Sequence, residues 1–313
     1  MAFTLYTSAD AGAPALDGTA GSLQALLYAC LVTGYGAKLA AGWSRPWLEL
    51  SGNIAVFKPN DPQDAFYYVN DNGPGVGTFK EARIHMGMTH DGAGTLGITA
   101  PQNIGYPAGY FVRKSALLST LAREWYMYAD GKTAYLMINP GDTSAGFQPH
   151  LMGKALALSP LEAYPWLIAG KTAENTSASS FSYWGLGYWH TAADTGKHIA
   201  SPVQADGSGT ASALLCAALS TMRATDVANQ WGVQGPGAPG PRTGILPMWD
   251  GLLVHDKEPR LRLRGLWSAY AAGGLVEPDT WTATINGVSR SFVVRRLSLT
   301  GIAVFETSDT LDL

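Results

Sequence analysis

Hydrophobic positions along this chain follow a helical period most clearly near residue 22, and strand-like patterns dominate after it. Leu23, Leu26, Leu27, Cys30 and Leu31 recur at helical spacing, which predicts an amphipathic helix over residues 22–33 with Ser22 as its N-cap. Gly34 and Gly36 then stop it. The preceding stretch, Ser8 to Gly21, is rich in small residues. It reads as an extended arm with little core of its own, either interlocking with a neighbouring subunit or loose.

Strand signals dominate downstream. Ile54–Phe57 and Phe66–Val69 are short apolar runs, the second ending in the turn residues Asn70, Asp71, Asn72 and Gly73. From Glu81 to Met88, Ala82, Ile84, Met86 and Met88 alternate with Glu81, Arg83 and His85, which predicts a half-buried strand. Two hairpins follow from turn dipeptides. Asp130-Gly131 separates REWYMYA from KTAYLMIN, and a two-residue loop there would pair Ala129 with Lys132 and Tyr126 with Tyr135. Asn286-Gly287 separates TWTATI from VSRSFVV and pairs Ile285 with Val288 and Trp281 with Phe292. One face of that second hairpin is Trp281, Ala283, Ile285, Val288 and Phe292, interrupted only by Arg290. The other is threonine and serine.

The pattern predicts a mainly β protein, an antiparallel sandwich or barrel-like fold with one N-terminal helix. Its expected parts are an arm and helix over residues 1–50, a β-rich central domain over 51–234, and a C-terminal β region over 242–313 packing on it. The run GPGAPGP at 235–241 serves as linker or loop. Residues 211–222 are ambiguous, because Leu214, Leu215, Ala218, Leu219 and Met222 have helical spacing among strand-like neighbours.

Composition narrows the function classes. Charged residues make up 14% of the 313, against roughly 25% in an average soluble domain, while 46% are hydrophobic. So little charge suits a surface covered by neighbouring subunits. The formal net charge of −3 argues against coating nucleic acid, which needs a basic surface. No apolar run is long enough to span a bilayer, and the first residues lack the basic and apolar regions of a signal peptide, so synthesis in a cytoplasm without membrane insertion is expected. Cys30 and Cys216 both sit in apolar stretches and read as buried thiols.

Motifs of chemistry are thin. GAGTLG at 92–97 matches a dinucleotide fingerprint in letters, but Ile98-Thr99-Ala100-Pro101 cannot open a helix after it, so it reads as a turn. His190, Asp194 and His198 are the only histidine grouping near metal-ligand spacing, and scattered surface or core histidines explain them as well. No catalytic residue, metal site or cofactor is nominated. Two stretches stand out as contact candidates. Trp184, Tyr188 and Trp189 in FSYWGLGYWH are large aromatics suited to a β core, a subunit interface or a sugar ring. Arg260, Arg262 and Arg264 alternate with Leu261 and Leu263, which places three guanidinium groups on one strand face. They would guard a solvated edge or meet an acidic neighbouring subunit.

Several stretches in order resemble a group of tailed-bacteriophage structural proteins. They are the opening YTSADAGAPALDGTAGSLQALLYACLVTGYG, then FYYVNDNG, ARIHMGMTHDGAGTLG and AREWYMYADGKTAYLMI, and finally LPMWDGLLVHDKEPRLRLRGLWSAY and IAVFETSDT. Together they cover about half the chain. The resemblance implies a minor virion component of the tail, baseplate or head–tail region, and the low-charge surface adds the expectation of a symmetric homo-oligomer contacting other virion proteins. It carries no catalytic residues, and it implies strand at 211–222. Two alternatives stay open: a receptor-recognition protein binding a host glycan through the aromatic stretch, and a capsid-surface decoration protein.

Overall fold

The computed structural model describes residues 2–72, 80–100, 109–141, 147–158, 162–169, 199–201, 215–217, 248–255, 258–269, 277–296 and 302–308. Chain order begins with β1 (Thr4–Thr7) and helix α1 (Ser22–Tyr28), which continues into a π-helical turn at Ala29–Thr33. Then come β2 (Ser44–Leu48), β3 (Ile54–Lys58), β4 (Phe66–Asn70), β5 (Glu81–His90), β6 (Leu96–Ala100) and β7 (Tyr110–Arg113). A second group is β8 (Glu124–Ala129), β9 (Thr133–Asn139), β10 (Gln148–Lys154), β11 (Leu156–Ala157), β12 (Trp166–Ala169), β13 (Ile199–Ala200) and β14 (Leu215–Ala217). The last is β15 (Met248–His255), β16 (Glu258–Ala269), β17 (Thr280–Ile285), β18 (Val288–Arg296) and β19 (Ile302–Glu306). The protein is mainly β, with one short helix among the described residues. The short strand β14 lies within 211–222, while the linker at 235–241 falls outside the described residues.

Among the described residues every strand pairing is antiparallel, and the strands form three sheets. The middle sheet has the order β1-β8-β9-β10-β12-β13. A second sheet, β2-β3-β4-β5-β6 with β7 also on β5, covers one of its faces. The third, β14-β15-β16-β19-β18-β17 with β11 also on β16, covers the other. Alternation along β8 shows why. Trp125, Met127 and Ala129 join Phe57, Tyr67, Ile84 and helix residues Leu23, Leu26 and Leu27 in one core. Tyr126 and Tyr128 point the other way, into a core with Leu261, Leu263, Val293 and Phe305. With both faces covered, β8 and β9 lose the apolar–polar alternation of a one-sided sheet and read as unbroken apolar runs.

Both predicted hairpins form, one with a corrected register. Ile285 faces Val288 and Trp281 faces Phe292, as the Asn-Gly turn requires. Asn286 (φ 51°) and Gly287 (φ 80°) are both left-handed, the backbone that such a turn demands. At the first hairpin Ala129 faces Ala134 and Tyr128 faces Tyr135, so the loop centres on Gly131-Lys132 instead of Asp130-Gly131. The cause is the Asp130 carboxylate. Its Oδ1 accepts the amides of Lys132 (2.9 Å) and Thr133 (2.8 Å), which makes Asp130 the first residue of the turn. The slip is two residues, so each side chain keeps its face.

The N-terminal segment is tied to its own chain. Ser8 N donates to Trp125 O, Arg123 N to Leu16 O, and Leu16 is fully buried. Ser22 is the first helical residue rather than the cap; its Oγ donates to the carbonyls of Asp17 and Thr19. The cap comes from far along the chain. Asp71 Oδ2 accepts the amides of Leu23 (2.7 Å) and Gln24 (3.3 Å), while its Oδ1 pairs with Lys114 Nζ at 2.5 Å, both side chains fully buried. A carboxylate there satisfies orphan amides and meets the positive end of the helix. Burial raises the Asp71 carboxyl to about 6, against the downward pull of Lys114 and the two amides.

Two predictions follow from these buried groups. Asp71→Asn keeps an acceptor for the helix amides but strands the Lys114 ammonium, so it costs about 3–5 kcal/mol. Denaturant unfolding checks this, and the Asp71→Asn/Lys114→Met double variant should lose less than the two single losses added. Burial also pushes the imidazole of His150 down to about 3 from 6.5, and that of His85 to about 4. Each is held neutral in the fold, so its contribution is complete above pH 6.5 and is lost as pH falls toward those values. For His150 the slope is about 1.4 kcal/mol per pH unit. His150→Leu should flatten the pH dependence of unfolding between pH 6 and 4; profiles parallel to the unmodified protein would contradict it.

Candidate interaction surface

Of the residues nominated from sequence, Trp184, Tyr188 and Trp189 lie outside the described residues, as do His190, Asp194 and His198. Arg260, Arg262 and Arg264 all fall on β16, but β16 is no edge strand. β15 pairs one side of it, while β11 and β19 share the other. The side chain of Arg260 is outside what is described. Arg262 sits half-buried opposite Leu156 and Leu252. Arg264 is 1% exposed and is spent within the chain. Its Nη2 reaches Asp130 Oδ2 at 2.8 Å, and its Nη1 reaches Asp130 Oδ1 at 3.1 Å and Thr133 Oγ1 at 2.9 Å. The reason is a bulge. Leu261, Leu263 and Leu266 all face the middle sheet, an odd step that needs an extra residue, and Gly265 takes φ +61° to supply it. The bulge turns Arg264 inward, so the expected row of three outward arginines does not exist.

The other basic residue flagged by its pattern, Arg290, is explained on the far face of the same sheet. Its Nη1 meets Glu306 Oε2 at 3.1 Å, and Trp267 Nε1 donates to the same oxygen at 3.1 Å. Around this pair, Trp281 stacks on Phe292 (centroids 5.6 Å, 25°) and Trp267 meets Phe292 edge-on at 5.8 Å. The apolar face of the β17–β18 hairpin therefore builds a small cluster of its own, with Phe292, Val294 and Val304 buried and Trp267, Trp281, Ala283 and Ile285 half-exposed. On the opposite side of the hairpin a cleft of about 610 Å³ opens against β1, with Leu5, Thr280, Thr282, Ser291 and Arg295 in its walls. Arg295 is held there by Tyr128 Oη (2.9 Å) and Glu277 (3.5 Å).

A third surface was not legible beforehand. The loop from β7 to β8 holds Leu117, Leu118 and Leu121 in solvent, at 66%, 54% and 64% exposure. Its backbone is pinned at many points. Lys114 N donates to Lys80 O, Ala116 N to Pro140 O (2.7 Å) and Gly18 N to Ser119 O (2.9 Å). Ser115 Oγ accepts from Leu117 N and from Arg123 Nε. Gly18 approaches so closely that a Cβ there would lie 2.5 Å from Leu117 O. Leucines on a pinned loop cannot collapse onto the core, so three apolar side chains face water together. Exposed apolar side chains gathered on one pinned loop mark a contact surface more often than the same residues scattered singly do.

Replacing all three leucines by serine should change the unfolding free energy by no more than about 0.5 kcal/mol per residue and lower the binding of a hydrophobic dye. Gly18→Ala should instead destabilise the protein through the Leu117 carbonyl clash, which thermal melts would register. Comparison of the chain with known protein families and with curated proteins finds no match.

Proposed function

We propose that this protein is a structural subunit of a tailed-bacteriophage particle, built into the tail or baseplate region as a symmetric homo-oligomer that also touches other virion proteins. The observation that carries the reading is the pinned loop presenting Leu117, Leu118 and Leu121. Keeping such side chains in water is unfavourable, by an amount that scales with the apolar area exposed. A neighbouring subunit covering them recovers that free energy. The low share of charged residues and the ordered set of stretches resembling phage structural proteins support the same reading. The role is geometric: each copy holds its neighbours in a fixed orientation through apolar area and hydrogen-bonded contacts.

Purified particles test this directly. Mass spectrometry should find the protein in virions, fractionating with tails, and the Leu117→Ser/Leu118→Ser/Leu121→Ser variant should fold yet be depleted from them. A highly soluble monomer that never enters particles would overturn the proposal. Fractionation with capsids would replace the tail by a head-surface role.

A further inference from the structure

The outer strands of the three sheets are treated very differently. On β1, the outward backbone groups are already used. Lys38 Nζ donates to Leu5 O at 2.8 Å, Thr7 N donates to Asp10 Oδ2 at 2.8 Å, and Tyr35 Oη donates to Thr7 O at 3.5 Å. On β2, Arg45 and Pro46 interrupt the strand, and its register breaks between Ser44 and Trp47. β13 and β14 are two and three residues long. These are the usual devices that keep a sheet edge from pairing with another chain.

β17 has none of them, and it is longer than β6, an outer strand that likewise lacks charge and proline. Its six residues, Thr280, Trp281, Thr282, Ala283, Thr284 and Ile285, include no charge and no proline, and they pair with β18 without a register shift. The ladder fixes which groups face out. Val294 N donates to Asp279 O, so Asp279 is a hydrogen-bonded position; by alternation Trp281, Ala283 and Ile285 bond to β18 as well. Thr280, Thr282 and Thr284 then turn their amides and carbonyls away from β18, and all three residues are exposed. An uncharged edge whose backbone groups are open among the described residues is a template for strand addition.

We propose that β17 pairs antiparallel with β17 of a second copy across a two-fold axis through Thr282, joining two sheets into one. The strand's own alternation selects this occupant. Outward-bonding residues must meet outward-bonding residues, and the register centred on Thr282 sets Thr280 against Thr284 of the second copy and Thr282 against itself. Each threonine pair exchanges two backbone hydrogen bonds. Between them Trp281 lies beside Ala283 of the second copy, large against small, at non-bonded positions whose Cα atoms approach to about 4.5 Å. No like charges meet along the strand, and a self-complementary patch is what a two-fold contact requires. This rests on the reading of the protein as a self-associating subunit and names the contact through which it associates.

The full chain tests it by sedimentation and by cross-linking. The unmodified protein should sediment as a dimer or an even multiple. Thr282→Lys should halve that mass while the chain still unfolds cooperatively, its midpoint no longer rising with protein concentration. Under mild oxidation Thr282→Cys should give a covalent dimer, because position 282 faces itself, whereas Thr284→Cys, facing Thr280, should not; the unmodified protein controls for its native thiols. An oligomer that survives Thr282→Lys, with Thr282→Cys unlinked, overturns the β17 contact and leaves the subunit reading standing. A protein that is monomeric at every concentration overturns both.

Discussion

Burial of the middle sheet on both faces is the constraint from which the rest of the architecture follows. On a strand covered above and below, each polar side chain without a partner costs about 1–3 kcal/mol, a cost the middle sheet bears at Gln148 and His150 on β10. The turn at Asp130 is where that cost is avoided and where all three layers are fastened. Its carbonyl accepts Trp43 Nε1 at 2.8 Å from the segment leading into the second sheet. Its carboxylate grips Arg264 of the third sheet with both oxygens. Tyr67 Oη reaches Leu167 O and Tyr135 Oη reaches Arg264 O, so each outer layer also touches the middle sheet through a tyrosine hydroxyl bonded to a carbonyl. One acid thereby orients two neighbours that apolar contact alone would let slide.

The scarcity of charge looks different in this light. Lys114 with Asp71, Arg264 with Asp130 and Arg290 with Glu306 are all buried pairs, so a notable part of a small charge complement is drawn inside the molecule. Such pairs gain little net free energy over apolar packing, but they forbid alternative arrangements because each partner is intolerable alone. Fewer charges then remain to keep surfaces apart. The pinned leucine loop and the half-exposed tryptophans beside the β17–β18 hairpin are the regions where that shows most.

Local signals in the sequence were faithful wherever structure is decided locally. The Asn286-Gly287 turn set its register because two left-handed residues leave the flanking strands no choice. The helix was visible in its leucines, yet its cap was invisible, since Asp71 acts from 48 residues away. Asp130-Gly131 misled by one position in each strand because a side chain, not the backbone preference of glycine, anchors that turn. The arginine row failed for a similar reason: alternation assumes an unbroken strand, and the bulge at Gly265 breaks it. Exposure of Leu117, Leu118 and Leu121 could not be read at all. Leucine in a sequence argues for the interior, and only the tether through Gly18 and Ser115 keeps these three outside.

The layer order also dictates when the chain can finish folding. β1 pairs with β8, so the first strand made must wait for residues 126–129 before it has a partner. The opposite face of that sheet stays bare until residues 258–306 are synthesised, because Leu261, Leu263, Val293 and Phe305 are what cover Tyr126, Tyr128 and Tyr135. Distant pairings of this kind fold slowly and leave an apolar sheet exposed in the meantime. A nascent chain interrupted before its last quarter would therefore present a ready surface for aggregation, which the C-terminal strands close once they pack.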